Sequence, residues 1–475
     1  MSTSPFSNRF NRRDFLVGSA RVAGAALVTG AAGQAFGAVR ERLRIGMIGT
    51  GMRGQVHLRE LLRRDDVDVV ALCDVEPIML DKALEKVAKA GKPVPRTYGA
   101  DRDPDGWRAM LAAGGLDGVI IATPWEWHAP MAIEAMRAGV AVGCEVVAGI
   151  TLQDHWDVLN TQLSTGTPYM LLENVCYRRD VLAVLRMVRA GVFGELAHLQ
   201  GGYQHDLRGV KLNGGDPAHP YGGGVEFGPK GWSEARWRTE HSVRRDGDLY
   251  PSHGIGPCAM ATNINRGNRF TRINSFSTAA RGLHDYIVKQ APDHPNAKAT
   301  FKLGDIVTTT LACANGETIL LQHDTSLPRP YSLGFRVQGT KGLWMDVNHS
   351  IYVEGVSKPE QWDDFKQWQD KYDHPLWRRF GEDAAGAGHG GMDFFVMHAF
   401  LEALKNGEPM PIDIYDAVTW SAITPLSEQS VAQGFQTLDF PDFTNGACAR
   451  ASRGSRSTTA TRRLPLFLPV RLPNC

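Results

Sequence analysis

The sequence predicts an α/β protein: an N-terminal, doubly wound parallel sheet, followed by an α+β domain with an open, mostly antiparallel sheet. Three observations carry this. A glycine fingerprint, Gly49-x-Gly51-x-x-Gly54, stands between a short apolar run and a helix-compatible one. Short apolar runs then alternate with helical periods as far as Asn174. Beyond that point the pattern changes to strands of alternating exposure around a long glycine-rich passage.

The chain has 475 residues, enough for two domains with cores of their own. A hydrophobic fraction of 43% and a charged fraction of 22% are ordinary for globular proteins. The net charge of +1 gives no reason to expect nucleic acid as a partner. Seven cysteines are scattered and odd in number, mostly in apolar runs, so buried free thiols are expected rather than a disulfide framework. Clustered cysteines and His-Glu-x-x-His are absent, so no metal site is expected.

Residues 1–38 have Arg12-Arg13, then Phe15-Leu16, then a weakly apolar Ala/Gly/Val run ending in small residues at Ala35 and Ala38. This resembles a twin-arginine export signal, which implies a periplasmic location. No later run is apolar for the roughly 20 residues of a membrane span, so no stable membrane anchor is expected.

Residues 39–175 read as a Rossmann domain. "RIGMIG" is the first strand and "QVHLRELLRR" the helix after the fingerprint. The first glycine permits a tight turn and the second admits a pyrophosphate. The third, Gly54, lets helix and strand pack closely. "DVDVVALCDVEP" supplies the next strand and ends at Asp74, where a carboxylate binds ribose hydroxyls and repels a 2′-phosphate; NAD is therefore expected over NADP. "GVIIATP", "VAVGCEVV" and "YMLLENV" are further strands, with helices between them. Ligands in such sheets lie beyond the carboxyl ends of the strands. Trp125-Glu126-Trp127-His128, Glu145-Val146 and Asn174 occupy those ends. Glu145 closes an apolar strand, a costly place for a carboxylate unless it is paired or functional.

Residues 176–445 read as the second domain, with strands in "LAHLQGGYQHDL", "RINSFSTAAR", "DIVTTTLACANG", "ETILLQHDTSL" and "YSLGFRVQGTKGLWMDV", and helices near Phe395–Lys405 and Ala417–Gln433. The densest polar and aromatic cluster is "WRTEHSVRRDGDLYPSHGIGP". Tyr250 and His253 are one turn apart, so both can aim at one pocket, the imidazole to take a proton and the phenol to relay one or hold an oxyanion. Arg238 offers a fixed cation with several donors. Tyr203, His205, Tyr331 and His389 are further candidates. Residues 446–475 are arginine-rich and expected to be a disordered basic tail.

Together "GTGMRGQ", "CDVEP", "TPWEWH", "CEVVAGIT", "ENVCYRRD", "GGYQHDLR", "WRTEH", "LYPSHGIGP" and "GHGGMDFF" resemble the glucose–fructose oxidoreductase and inositol dehydrogenase superfamily. Within it they resemble glycoside hydrolase family 109, the NAD-dependent α-N-acetylgalactosaminidases. The resemblance runs from about Arg44 to Phe443. It implies NAD contacts from Met52, Arg53, Asp74, Trp125, Glu126, Trp127, His128, Glu145, Val146, Asn174 and Tyr250. It implies contacts to a glycan ending in α-N-acetylgalactosamine from Tyr203, Arg238, Tyr250, Pro251, Ser252, His253 and Tyr331, with His253, Tyr331 and Tyr250 nearest the chemistry. It also implies a cycle without net redox change: oxidation at sugar C3, loss of the C2 proton, elimination of the C1 oxygen, addition of water and reduction. Two other readings stand beside it, a periplasmic NAD(P)-dependent sugar oxidoreductase and a non-catalytic sugar- or NAD-binding protein. Superfamily sugar dehydrogenases commonly have Glu-Lys-Pro where this chain has Glu145-Val146-Val147, which weakens the oxidoreductase reading. A homodimer is expected only by analogy with the superfamily.

Overall fold

The computed structural model describes residues 40–446. The expected export signal, and all of the basic tail but Gly446, lie outside the described residues. Two sheets form the framework. The first is parallel, with strands β1 (Leu43–Ile48), β2 (Val67–Cys73), β3 (Arg96–Tyr98), β4 (Gly118–Ile121), β5 (Ala141–Cys144) and β6 (Tyr169–Leu171) in the order β3-β2-β1-β4-β5-β6. The order reverses at β1, so the switch point lies between β1 and β4, directly above the glycine turn. The four residues of β4 and the four of β5 are all buried, as a sheet covered on both faces requires.

The helices that cover it are fixed locally. The helix Leu152–Thr165 begins at a capping box, in which Thr151 accepts from the Asp154 amide and the Asp154 carboxylate accepts in return. It ends at Gly166 in the left-handed region, φ +66°. The chain also returns to this sheet from its far end. The helix Met392–Asn406 packs beside the helix Met52–Leu62, and a Cβ on Gly143 of β5 would lie 3.4 Å from the Phe400 ring.

The second sheet comprises β7 (Leu196–Gln204), β8 (Phe270–Ser277), β9 (Ile306–Cys313), β10 (Thr318–Asp324), β11 (Arg336–Gly339), β12 (Gly342–Met345), β13 (Ser350–Val353), β14 (Asp363–Asp364) and β15 (Leu438–Asp439). Its order is β14-β13-β12-β11-β7-β10-β9-β8-β15. Only the β7–β10 pairing is parallel, so the expected mostly antiparallel sheet is what the chain forms. "YSLGFRVQGTKGLWMDV" contributes two strands, β11 and β12, joined by a tight turn at Thr340-Lys341.

The second domain contains helices that the sequence pattern does not place, Glu234–Arg244, Gly282–Gln290, Phe365–Tyr372 and Pro375–Ala384 among them. The first falls inside the glycine-rich passage and has no sustained apolar stripe, because the face it turns inward carries Trp237, Arg238 and His241.

At the centre of β7, Gly201 and Gly202 receive the helix Ser252–Ala261. A Cβ on Gly201 would fall 2.5 Å from the Gly254 carbonyl oxygen, and one on Gly254 would fall 2.5 Å from the Gly202 nitrogen. Glycine on both sides is what permits this approach of helix to strand.

Phe400 is fully buried between the first sheet and its returning helix. Phe400→Ala is expected to lower the unfolding free energy by about 3–5 kcal/mol, read from urea denaturation. A loss below 1 kcal/mol would mean that this helix does not help hold the sheet.

Candidate active site

A cleft of about 560 Å³ opens above the carboxyl ends of β1, β2, β4 and β5 and runs across to the second sheet. The fingerprint glycines divide its needs. Gly49 has φ +88°, and a Cβ there would sit 2.6 Å from the Ala122 carbonyl oxygen. A Cβ on Gly54 would fall 2.1 Å from the Gly49 carbonyl oxygen. Both are required by the chain's own packing. Gly51 meets nothing within 4 Å and lines the open cleft. The turn is thus bare where a ligand's phosphate would approach the N-terminus of the helix Met52–Leu62, which has no side-chain cap and no acidic residue in its first turn. The cradle fits a dinucleotide.

Asp74 stands at the end of β2 as expected, but it is not a free carboxylate. One oxygen accepts from the Thr50 amide (2.6 Å) and hydroxyl (3.2 Å), the other from the Glu76 amide (2.9 Å). Burial raises its pKa against these bonds.

Arg53 organises the middle of the cleft. Its Nε donates to Glu145 (2.6 Å) and its terminal nitrogen to Asp393 (2.8 Å). Glu145 also meets His57 Nε2 at 2.5 Å, and Asn174 donates to Asp393 at 2.8 Å. Burial alone would raise the pKa of Glu145; Arg53 and His57 outweigh it and hold the carboxyl well below its usual range. Asp393 follows the same logic: burial works against its charge, and His389 and Arg53 prevail. The partners of Glu145 are therefore Arg53 and His57, both within the chain.

The tryptophan segment divides. Trp125 is buried and packs edge-on against Trp237 at 5.1 Å, whereas Trp127 lies at the rim. Glu126 faces His241 at 3.4 Å. His128 lines the cleft but is almost wholly buried, its two ring nitrogens facing the carbonyls of Val147 (2.6 Å) and Thr123 (2.8 Å). It ties two strand ends together, and burial lowers its pKa.

The opposite wall is aromatic. Tyr250 lies 4.7 Å from Tyr203 and 4.8 Å from His253, centroid to centroid, and the Arg238 guanidinium sits 5.1 Å over Tyr250 and 5.2 Å over Trp125. Arg238 pairs with Glu234; burial opposes its charge, but that partner keeps it cationic. Burial raises the phenol pKa of both Tyr250 and Tyr203, so these hydroxyls stay protonated and act as donors.

His253 Nδ1 lies 2.8 and 2.9 Å from the two carboxylate oxygens of Glu173, which is fully buried and also accepts from the Val175 amide at 3.0 Å. The glycine contact between β7 and the helix Ser252–Ala261 seats the imidazole there. Glu173 is a residue that sequence reasoning missed in favour of its neighbour Asn174. The signal was present: like Glu145, it is a carboxylate at the end of an apolar strand. Asp393 and His57 were missed as well, the first within "GHGGMDFF" beside His389, whose Nδ1 it meets at 2.7 Å.

Not every candidate converges. Val146 lines the cleft, but Pro251 and Ser252 lie buried beneath the wall, and the Ser252 hydroxyl has no hydrogen-bond partner. Tyr331 is half exposed and outside the cleft lining, joined to the wall through His205 at 5.0 Å, which is 5.9 Å from Tyr203. Among the described residues no cluster suited to a metal ion occurs and no helix is long and apolar enough to cross a membrane. Five described cysteines are buried and free.

Residues 177–450 match the family model "Glycosyl hydrolase 109, C-terminal domain", more than half of the chain. The chain belongs to glycoside hydrolase family 109. Residues 43–166 match "Oxidoreductase family, NAD-binding Rossmann fold". A family 109 protein from Stenotrophomonas maltophilia is 73% identical over 438 residues, covering 92% of this chain and 96% of its own. A protein named alpha-N-acetylgalactosaminidase from Tannerella forsythia is 52% identical over 408 residues, 85% of this chain and 86% of its own. Among solved structures, a levoglucosan dehydrogenase in complex with NADH and levoglucosan superposes with TM-score 0.63 at 18% identity, covering 84% of this chain and all of the other. An inositol dehydrogenase homologue from Azotobacter vinelandii gives 0.58 at 19%, covering 85% and 98%. These two share the fold. As a family 109 member the protein is a glycoside hydrolase.

Arg53→Met leaves Glu145 and Asp393 buried without their cation. A stability loss of about 3–5 kcal/mol at pH 7 is expected by chemical denaturation. In the wild type both carboxyls titrate below their unfolded values, so their contribution is complete above about pH 4–5 and fades as the pH falls further. The variant should lose that slope.

Asp248 offers the opposite sign. Burial pushes this carboxyl, whose oxygen accepts from the Tyr250 amide at 3.2 Å, up to about 7. The folded state then holds a proton that the unfolded chain releases above about pH 4, so stability should fall between about pH 4 and 7. Asp248→Asn should flatten that fall in a Tm-against-pH series; an unchanged series would show that Asp248 is ionised in the fold.

Proposed function

We propose that the protein removes terminal α-linked N-acetylgalactosamine from glycans, using NAD held in the cleft and regenerated in every cycle. The observation that carries this is the His253–Glu173 pair in a cleft whose carboxylates, the exposed Asp103 apart, are committed to partners. Glu145 is tied to Arg53 and His57, Glu76 to Arg236, Glu234 to Arg238, and Asp74 to the Thr50 and Glu76 amides. Ordinary glycosidases need a free acid and a free carboxylate flanking the bond, and NAD-dependent families are the exception. The relative named alpha-N-acetylgalactosaminidase supports the choice of sugar.

Gly51 with the helix start at Met52 and Arg53 would receive the diphosphate and Asp74 a ribose. The surroundings of Trp125–His128, Glu145-Val146, Asn174 and Tyr250 would hold the nicotinamide half. The committed Asp74 carboxylate would still repel a 2′-phosphate, which supports NAD over NADP. When bound, the nicotinamide supplies reversible oxidation at sugar C3. A C3 ketone acidifies the C2 proton, and His253 Nε2, free while Nδ1 faces Glu173, takes it. Glu173 fixes the ring and balances the imidazolium that forms. Tyr250 and Tyr203 donate to sugar oxygens, and Arg238 holds the ring or its acetamide. Tyr331, at the rim, would approach from the leaving-group side. Elimination, addition of water and reduction complete the cycle. A cofactor that is never spent also suits a protein exported already folded; we propose the twin-arginine route and the periplasm on residues 1–38.

His253→Ala should abolish turnover of p-nitrophenyl α-N-acetylgalactosaminide while bound NAD is retained. Glu173→Gln should cost roughly 10²-fold in kcat. In deuterated water, without added NAD, released sugar should carry deuterium at C2. Full activity in protein stripped of dinucleotide, or hydrogen retained at C2, would overturn the reading.

A further inference from the structure

A second, small cavity lies behind the aromatic wall, with room of about 10 Å³ for the centre of a water-sized guest. It shares Trp125 and Arg238 with the cleft and is otherwise lined by Leu207, Lys211, Ser242, Leu249, Leu303, His323 and Thr325. No carboxylate lines it. Lys211 is the unusual member. It is only 2% exposed, and its Nζ donates to two hydroxyls, Thr325 Oγ1 at 2.8 Å and Ser326 Oγ at 3.1 Å. An ammonium has three protons, and a hydroxyl brings no counter-charge.

The nearby charges are spoken for elsewhere. Arg238 is balanced by Glu234 and Asp324 by Arg329, although Asp324 Oδ1 is buried without a hydrogen-bond partner, while Asp305 accepts the amides of Arg281 and Gly282 at 2.9 Å each. His323, also buried, has an Nδ1 without a hydrogen-bond partner. The cavity is therefore walled by one cation that no carboxylate touches, a second cation and an orphaned ring nitrogen. A buried ammonium without a partner is expensive, and a dry or purely water-filled void does not relieve it. At about 10 Å³ the space reaches the lower bound for a single small guest.

We propose that this cavity binds one halide-sized monovalent anion, chloride as the common case, with Lys211 as its cation and His323 and Arg238 as neighbours. The anion completes the ion pair that Lys211 lacks and fixes Arg238 from behind. Without it, burial, aided by repulsion from Arg238, pushes the lysine down to about 7, so much of its charge is lost near neutrality.

The test uses the full chain and reads binding rather than turnover, so it stands or falls apart from the proposed reaction. Thermal unfolding is followed at constant ionic strength while sodium gluconate is exchanged for sodium chloride or bromide. A saturable rise in Tm of about 2–4 °C is expected with either halide. It should vanish in Lys211→Met. Crystals soaked in bromide should give an anomalous peak within hydrogen-bonding distance of Lys211 Nζ, a result that does not depend on the variant folding. Equal Tm in all three salts, a halide effect that survives in Lys211→Met, or a cavity holding only water in bromide-soaked crystals would each overturn the assignment.

Discussion

The guanidinium of Arg53 is the point on which the cleft depends. It stands in the first turn of the glycine helix and binds Glu145 at the end of β5 and Asp393 near the start of a helix 340 residues away. Asp393 in turn holds Asn174 and His389. Buried carboxylates are tolerable only with partners this close, so one cation sets the spacing of the strand ends on the first sheet and draws the C-terminal helix onto it. Removing it would leave two buried carboxylates with imidazoles as their remaining basic partners.

That constraint has a chemical consequence. Carboxylates fastened to a guanidinium, as Glu145 and Asp393 are to Arg53, are poor acids and bases, because their protonated forms are penalised. The proton work in the cleft passes to the His253 imidazole, held by the buried Glu173 carboxylate behind it. The sheet supplies that arrangement through steric permission: Gly201, Gly202 and Gly254 let a helix lie against β7 closely enough to bring His253 to Glu173. The phenols beside it, kept protonated by burial, complete a wall of donors.

Much was legible in advance. The glycine fingerprint, the alternation of strands and helices, the antiparallel second sheet and the aromatic cluster around Tyr250 all come from local pattern, and each stands where expected. Glu145 was singled out for the right reason, the cost of a carboxylate closing an apolar strand, but its internal partners His57 and Arg53 could not be read. The same reasoning applied to Glu173 would have found the partner of His253. The helix Glu234–Arg244 was hidden because its inward face carries charge and rings in place of an aliphatic stripe. Tyr331 falls at the rim, since its loop sits beyond the end of β10 and not over the cleft.

By itself the sequence determined most of the strands, the helices of the first domain, where the chain must turn at glycine, and which strand ends carry polar groups. Those are short-range matters of periodicity, backbone sterics and the cost of burying charge. Only the tertiary structure decided who meets whom: His253 with Glu173 across 80 residues, Arg53 with Asp393 across 340, and Lys211 with two hydroxyls and no acid. Periodicity says that a face will be buried; the identity of the group opposite it is set by packing, which no local pattern encodes.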